Sequence, residues 1–179
     1  MAQTGLIVHV AEAEPRVRSL RERFHPVARL GVPAHITLLF PFMAPDHITQ
    51  DVLGQARAAL AGASAFDFSL SKVGRFPLTA WLAPEPAEPF VALTRTLVQM
   101  FPLFPPFGGE FETTVPHLTI AHGDAADAKV AHAEMAESIR QHGPIHARCS
   151  AVELLSNASG AWKQAHVFVL PDQPSMARP

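Results

Sequence analysis

Residues 34–40 alternate in character: Ile36, Leu38 and Phe40 fall on one face of an extended strand, while His35 and Thr37 fall on the other. The same alternation returns over residues 116–122, where Leu118 and Ile120 back a face that carries His117 and Thr119. Further apolar or alternating stretches predict strands over residues 5–10, 66–73, 78–82, 145–155 and 163–170. Helical spacing predicts helices over residues 13–24, 45–61, 88–100 and 125–141. Pro15 sits at a first-turn position of the first helix, and Asp46 caps or charges the start of the second. Phe90, Leu93, Leu97 and Met100 form the apolar stripe of the third, and Gly143-Pro144 stops the fourth. Residues 101–114 are too rich in proline and glycine for regular structure and are expected as a loop.

From each histidine-bearing strand onward the predicted order is strand, helix, strand, strand. The repetition extends to the tryptophans: Trp81 follows His35 by 46 positions and Trp162 follows His117 by 45. We therefore expect a single α+β domain over residues 1–179, with pseudo-repeated halves around residues 35–37 and 117–119. Each half would hold a small, mostly antiparallel sheet with helices outside, and the two motif strands would line a central cleft.

A chain of 179 residues, 48% hydrophobic, is long enough to bury a substantial core. Its net charge of −2 offers no global positive field to hold a long nucleic acid by its phosphates, although a small or terminal piece remains compatible. Cys149 is the single cysteine, which excludes an intramolecular disulfide and suits a core thiol in a reducing compartment. The first ten residues lack a basic leader region, and no uninterrupted apolar run reaches membrane-spanning length. A soluble, cytoplasmic monomer is expected.

Two imidazoles and two hydroxyls on facing strands are suited to displacement at phosphorus. Free imidazole titrates near neutrality, so one ring can accept a proton from the attacking oxygen while the other donates to the leaving one. Thr37 and Thr119 would supply donors for the spare phosphate oxygens. Neither a metal nor another cofactor is expected. His117 and His122 lie five apart on one strand and face opposite ways, so a zinc set of His9, His35, His117 and His122 does not converge. No Gly-x-Ser-x-Gly elbow, Walker loop or dinucleotide fingerprint is present, and Cys149 lies inside a predicted strand.

These residues resemble the two-histidine phosphoesterase superfamily, whose signature is a pair of His-x-Thr/Ser-x motifs, and most of all its 2′-5′ RNA ligase branch. The resemblance runs through residues 31–42, 73–77, 81–84 and 115–121. It implies the bilobal cleft fold and the opening of 2′,3′-cyclic phosphodiesters of nucleotides or RNA termini, with 2′-5′ ligation or cleavage in some members. It also implies His35, Thr37, His117 and Thr119 as the catalytic set, with His117 activating water and His35 protonating the departing 3′-oxygen to leave a 2′-phosphate. Lys72, Arg75 and Lys163 are candidate phosphate contacts, with Arg75 preferred; Phe42, Phe76 and Phe107 are candidate stacking platforms. The expected partner is a 2′,3′-cyclic nucleotide or an RNA with a cyclic phosphate end. The alternative is a non-catalytic protein that holds a nucleotide or RNA end in the same cleft. His25, His47, His132, His142 and His146 are expected at the surface, whereas His9 and His166 lie on strands that can approach the cleft.

Overall fold

The computed structural model describes residues 1–109 and 115–173. The last five positions of the expected 101–114 loop therefore lie outside the described residues. In chain order the elements are β1 (Thr4–His9), α1 (Glu14–Phe24), β2 (His35–Leu39), α2 (Gln50–Leu60), β3 (Phe66–Phe76), β4 (Thr79–Glu85), α3 (Glu88–Met100), β5 (Leu118–His122), α4 (Ala125–His142), β6 (Ile145–Cys149), β7 (Ala151–Ser156) and β8 (Lys163–Val169).

All strand pairings are antiparallel, in the order β6-β3-β4-β5-β2-β1-β7-β8. The expected two small sheets are one eight-stranded sheet, whose four-stranded halves join where β2 meets β5 through the single pair Ile36–Leu118. The spatial halves are not the sequence halves. β3 and β4 follow the first motif but flank β5, whereas β7 and β8 follow the second and return beside β1 and β2. Helices cross in the same way: α1 packs on β5 and α3 on β2, with α4 against β3, β4 and β5.

The stretch 145–155, expected as one strand, is two. Ile145, Ala147 and Cys149 are buried at odd positions, whereas Val152 and Leu154 are buried at even ones, so the alternation loses phase at Ser150. β6 and β7 therefore separate to opposite parts of the strand order with one residue between them, which requires the sheet to curl. Leu170 N–H donates to Ser150 O at 2.8 Å and Ala65 N–H to Pro171 O at 2.7 Å, tying the same corner together.

Helix starts follow their caps. The expected helix over 45–61 is a 3₁₀ turn at Pro45–His47 and then α2, because the Thr49 hydroxyl, not Asp46, accepts Val52 N–H and caps the helix. Asp124 caps α4 by accepting from Ala126 and Asp127 N–H. On α3, Phe90, Leu93 and Leu97 are buried, while Met100 at its C-terminal end is exposed. Leu6, Val8, Ile36, Leu38, Leu118 and Ile120 belong to one continuous core beneath the helices. Ile7, on the other face of β1, joins a small separate cluster with Val32 and Leu155. His25, expected at the surface, is buried where α1 ends, its ring edge-on to His122 at 6.4 Å. Among the described residues no helix is long and apolar enough to cross a membrane.

Candidate active site

Ile36 and Leu118 are fully buried partners, so the residues flanking them point to the opposite face of the sheet. Extending their antiparallel register by one residue each way sets His35 opposite Thr119 and Thr37 opposite His117. The motifs thus form a two-by-two block in which each imidazole neighbours the other motif's hydroxyl. On the flanking strands, His9 of β1 lies opposite His35 and Trp81 of β4 lies opposite Thr119.

Both imidazoles are held the same way. His35 Nδ1–H donates to the carbonyl of Pro33 at 2.8 Å, and His117 Nδ1–H donates to that of Val115 at 2.7 Å. In each motif the acceptor is two residues upstream, so the Nδ1 proton is fixed and Nε2 keeps a lone pair for the cleft. Burial pushes His35 down to about 4, reinforced by the positive neighbours Arg21, His117 and His9 and opposed by the Pro33 carbonyl. Burial also lowers His117, against the pull of its bond to Val115. In the free protein both rings are therefore neutral at pH 7.

An aromatic wall stands beside His117. Phe76 meets its ring edge-on at 5.7 Å, Trp81 lies at 6.1 Å, and Phe107 lies nearly parallel to it at 6.4 Å. The expected platforms Phe76 and Phe107 are thus at the block. Phe42 is not: it is buried against Phe101 and Phe104, at 5.0 and 5.3 Å, because the chain turns into the core after β2. Trp162 packs against the cluster of Ile7, Val32 and Leu155, in which Ile7 lies opposite Thr37, with Phe40 at 5.9 Å. Each tryptophan serves the motif it does not follow in sequence, as the crossed strand order dictates.

The candidate cations are not brought together. Lys72 shares a strand face with Gly74 and Phe76, and hence with Trp81, and it is exposed. Arg75 sits between Gly74 and Phe76, so the period-two pleat turns it to the face opposite theirs, away from Trp81. Lys163 opens β8, with β7 and β1 between it and β2, so it is also removed from the block. The residue missed from the sequence is Trp81, whose distance from His35 was the one hint; His9, expected on a strand that can approach the cleft, lies opposite His35. His9 lies 3.6 Å from Glu153 and forms an ion pair with it when protonated. His166 packs on Phe168 at 4.6 Å. Among the described residues no three His, Cys, Asp or Glu side chains form a metal-binding group.

Gly74 makes the aromatic wall possible. A Cβ there would stand 2.2 Å from the Trp81 ring, so Gly74→Ala must displace the indole. The expected cost is roughly 1–3 kcal/mol of stability, with altered tryptophan emission. An unchanged melt and spectrum would show that the ring does not lie over Gly74.

A model of the 2′-5′ RNA ligase superfamily matches residues 9–161, a span that includes both motifs. Among solved structures, TT0787 of Thermus thermophilus superposes with a TM-score of 0.64 at 17% identity, covering 96% of this chain and 100% of that one. Escherichia coli LigT complexed with NADP+ gives 0.57 at 17% identity over 95% of this chain and 98% of that one. LigT complexed with 3′-AMP gives 0.57 at 14% identity, with 96% and 99% covered. These likenesses concern the fold. No curated protein matches the chain. With a family model covering most of its length and both motifs on one face of the sheet, the chain belongs to the 2′-5′ RNA ligase superfamily of two-histidine phosphoesterases.

Proposed function

We propose that this protein is a metal-independent phosphodiesterase that opens 2′,3′-cyclic phosphodiesters of nucleotides or RNA termini to 2′-phosphates. The observation that carries the proposal is the block of His35, Thr37, His117 and Thr119, with both Nδ1 atoms tied back and both Nε2 atoms left for the cleft. The phosphate lies between the rings. His117, held toward its neutral form by burial, takes the proton of the attacking water. His35, drawn into its charged form by the bound phosphate anion, returns a proton to the departing 3′-oxygen. Thr37 and Thr119 donate to the non-bridging oxygens. Phe76 and Phe107 offer a face for the base, in keeping with nucleotide binding by LigT.

The test is hydrolysis of 2′,3′-cyclic mononucleotides and cyclic-phosphate RNA oligomers in EDTA, with the product phosphate located. Activity should persist in EDTA and give a bell-shaped pH profile, since one ring must be neutral and the other charged. Activity lost to chelation and restored by zinc or manganese would overturn the two-imidazole mechanism. Tight binding without turnover would favour a protein that only holds RNA ends.

A further inference from the structure

Arg21 is a buried arginine on the inner side of α1, with its side chain 3% exposed and its Nε without a partner. A guanidinium is rarely taken from water with its donors incompletely used, because the desolvation cost is large. Its Nη2–H donates to Val32 O at 3.0 Å, and its Nη1 lies 4.0 Å from Glu14 Oε1. The same Glu14 oxygen accepts Ala34 N–H at 2.6 Å.

Residues 32–34 lead directly into His35, and every backbone polar group among them is accounted for. Val32 N–H reaches Val27 O at 3.4 Å, Val32 O takes Arg21, Pro33 has no N–H, and Pro33 O takes the His35 ring. Ala34 N–H takes Glu14, and Ala34 O takes Val10 N–H at 2.8 Å. The carbonyl that orients His35 is therefore flanked by two backbone groups held by one ion pair. Among the described residues no charged side chain holds the matching Val115–Pro116 backbone of the second motif. The arrangement acts on one histidine of the pair.

We propose that Arg21 and Glu14 are a positioning pair that clamps residues 32–34 and thereby fixes the ring orientation and tautomer of His35. Neither residue touches the reacting atoms; they act through the Pro33 carbonyl, and Arg21 also through its field at the ring. The charged and titratable groups around His35 are Arg21 of α1, His25 at the end of α1, His9 of β1 and His117 beside β5. Arg21 in turn faces Glu14 and His25.

The catalytic part of this inference rests on the proposed phosphodiesterase reading, whereas the clamp itself is read by NMR titration of the ring resonances of His35 and His117. Arg21→Met removes a positive neighbour and should move the His35 titration upward, with loss of the single Nδ1–H tautomer. Glu14→Gln keeps an acceptor for Ala34 N–H but strips the counter-charge, so the His35 titration should move downward with its tautomer retained. His117 should stay fixed in both variants. With cyclic nucleotide, Arg21→Met should lower kcat by about 10²-fold, the scale of a misplaced reacting group, with KM changed far less. Opposite shifts at His35 alone establish the clamp. Folded variants with unmoved His35 resonances overturn it, and if Arg21→Met does not fold, the downward shift in Glu14→Gln decides alone. Wild-type protein inert toward cyclic phosphates, but showing those shifts, would retain the clamp and discard the proposed reaction.

Discussion

His35→Ala and His117→Ala are each expected to lower kcat for a 2′,3′-cyclic phosphate by about 10²–10⁴, the range for a positioned proton donor or acceptor. Substrate binding should be nearly unchanged, because the phosphate keeps the opposite ring and both threonine hydroxyls. The double variant should be little worse than the poorer single one, since acid and base serve one displacement and groups acting as a unit are not additive. Thr37→Ala and Thr119→Ala should be milder and should weaken binding as well as turnover, each removing one donor to the phosphate oxygens. All four proteins should fold. The substituted side chains lie on the cleft face, while the buried partners Ile36 and Leu118 are untouched. The hydrogen bonds lost to Pro33 or Val115 are worth only about 0.5–1.5 kcal/mol each. Kinetics measured beside thermal melts distinguish the outcomes. Well-folded variants with wild-type turnover would make these residues ordinary strand positions, and unfolded ones would place them in the core.

What the sequence revealed was local. Alternation in residues 34–40 and 116–122 placed His35, Thr37, His117 and Thr119 on solvent-facing sides of strands because Ile36, Leu38, Leu118 and Ile120 must be buried. Long-range register was hidden. Nothing in either motif states that Ile36 pairs with Leu118, and that one pairing sets each histidine opposite the other motif's threonine. The crossed strand order was hidden for the same reason, so the paired Trp spacings suggested repetition without showing that Trp81 belongs beside His117. Two further features are written in the alternation itself. The phase of Ile145, Ala147 and Cys149 against Val152 and Leu154 marks the break at Ser150, and strict alternation already separates Arg75 from Phe76. Phe42 and His25 needed the tertiary structure, since one is covered by the aromatic rings of Phe101 and Phe104 and the other lies edge-on to His122.

Acidification should weaken the fold well before its carboxylates titrate. Burial lowers His25 to about 3, assisted by Arg21, His35 and His122, and its Nδ1 is buried without a partner. Burial likewise lowers His35 to about 4. In the unfolded chain both rings return to about 6.5. As pH falls through that value the unfolded state binds protons that the folded state refuses, so stability is complete above it and declines on the acid side. Between about pH 6 and pH 4 each histidine contributes a slope of about 1.4 kcal/mol per pH unit. Below about 4 His35 protonates in the folded state too, and His25 alone continues the decline until about 3. Urea unfolding measured in half-unit steps reads this slope directly. His25→Gln, which cannot charge, should remove its own share of about 1.4 kcal/mol per pH unit. Saturating inorganic phosphate provides the link to the site: an anion between the rings favours protonated His35 in the folded state, so the His35 share of the slope should shrink while the His25 share remains. Stability that stays flat from pH 6.5 to 4.5, or a phosphate effect undiminished in His35→Ala, would show that these rings are not held neutral at the cleft.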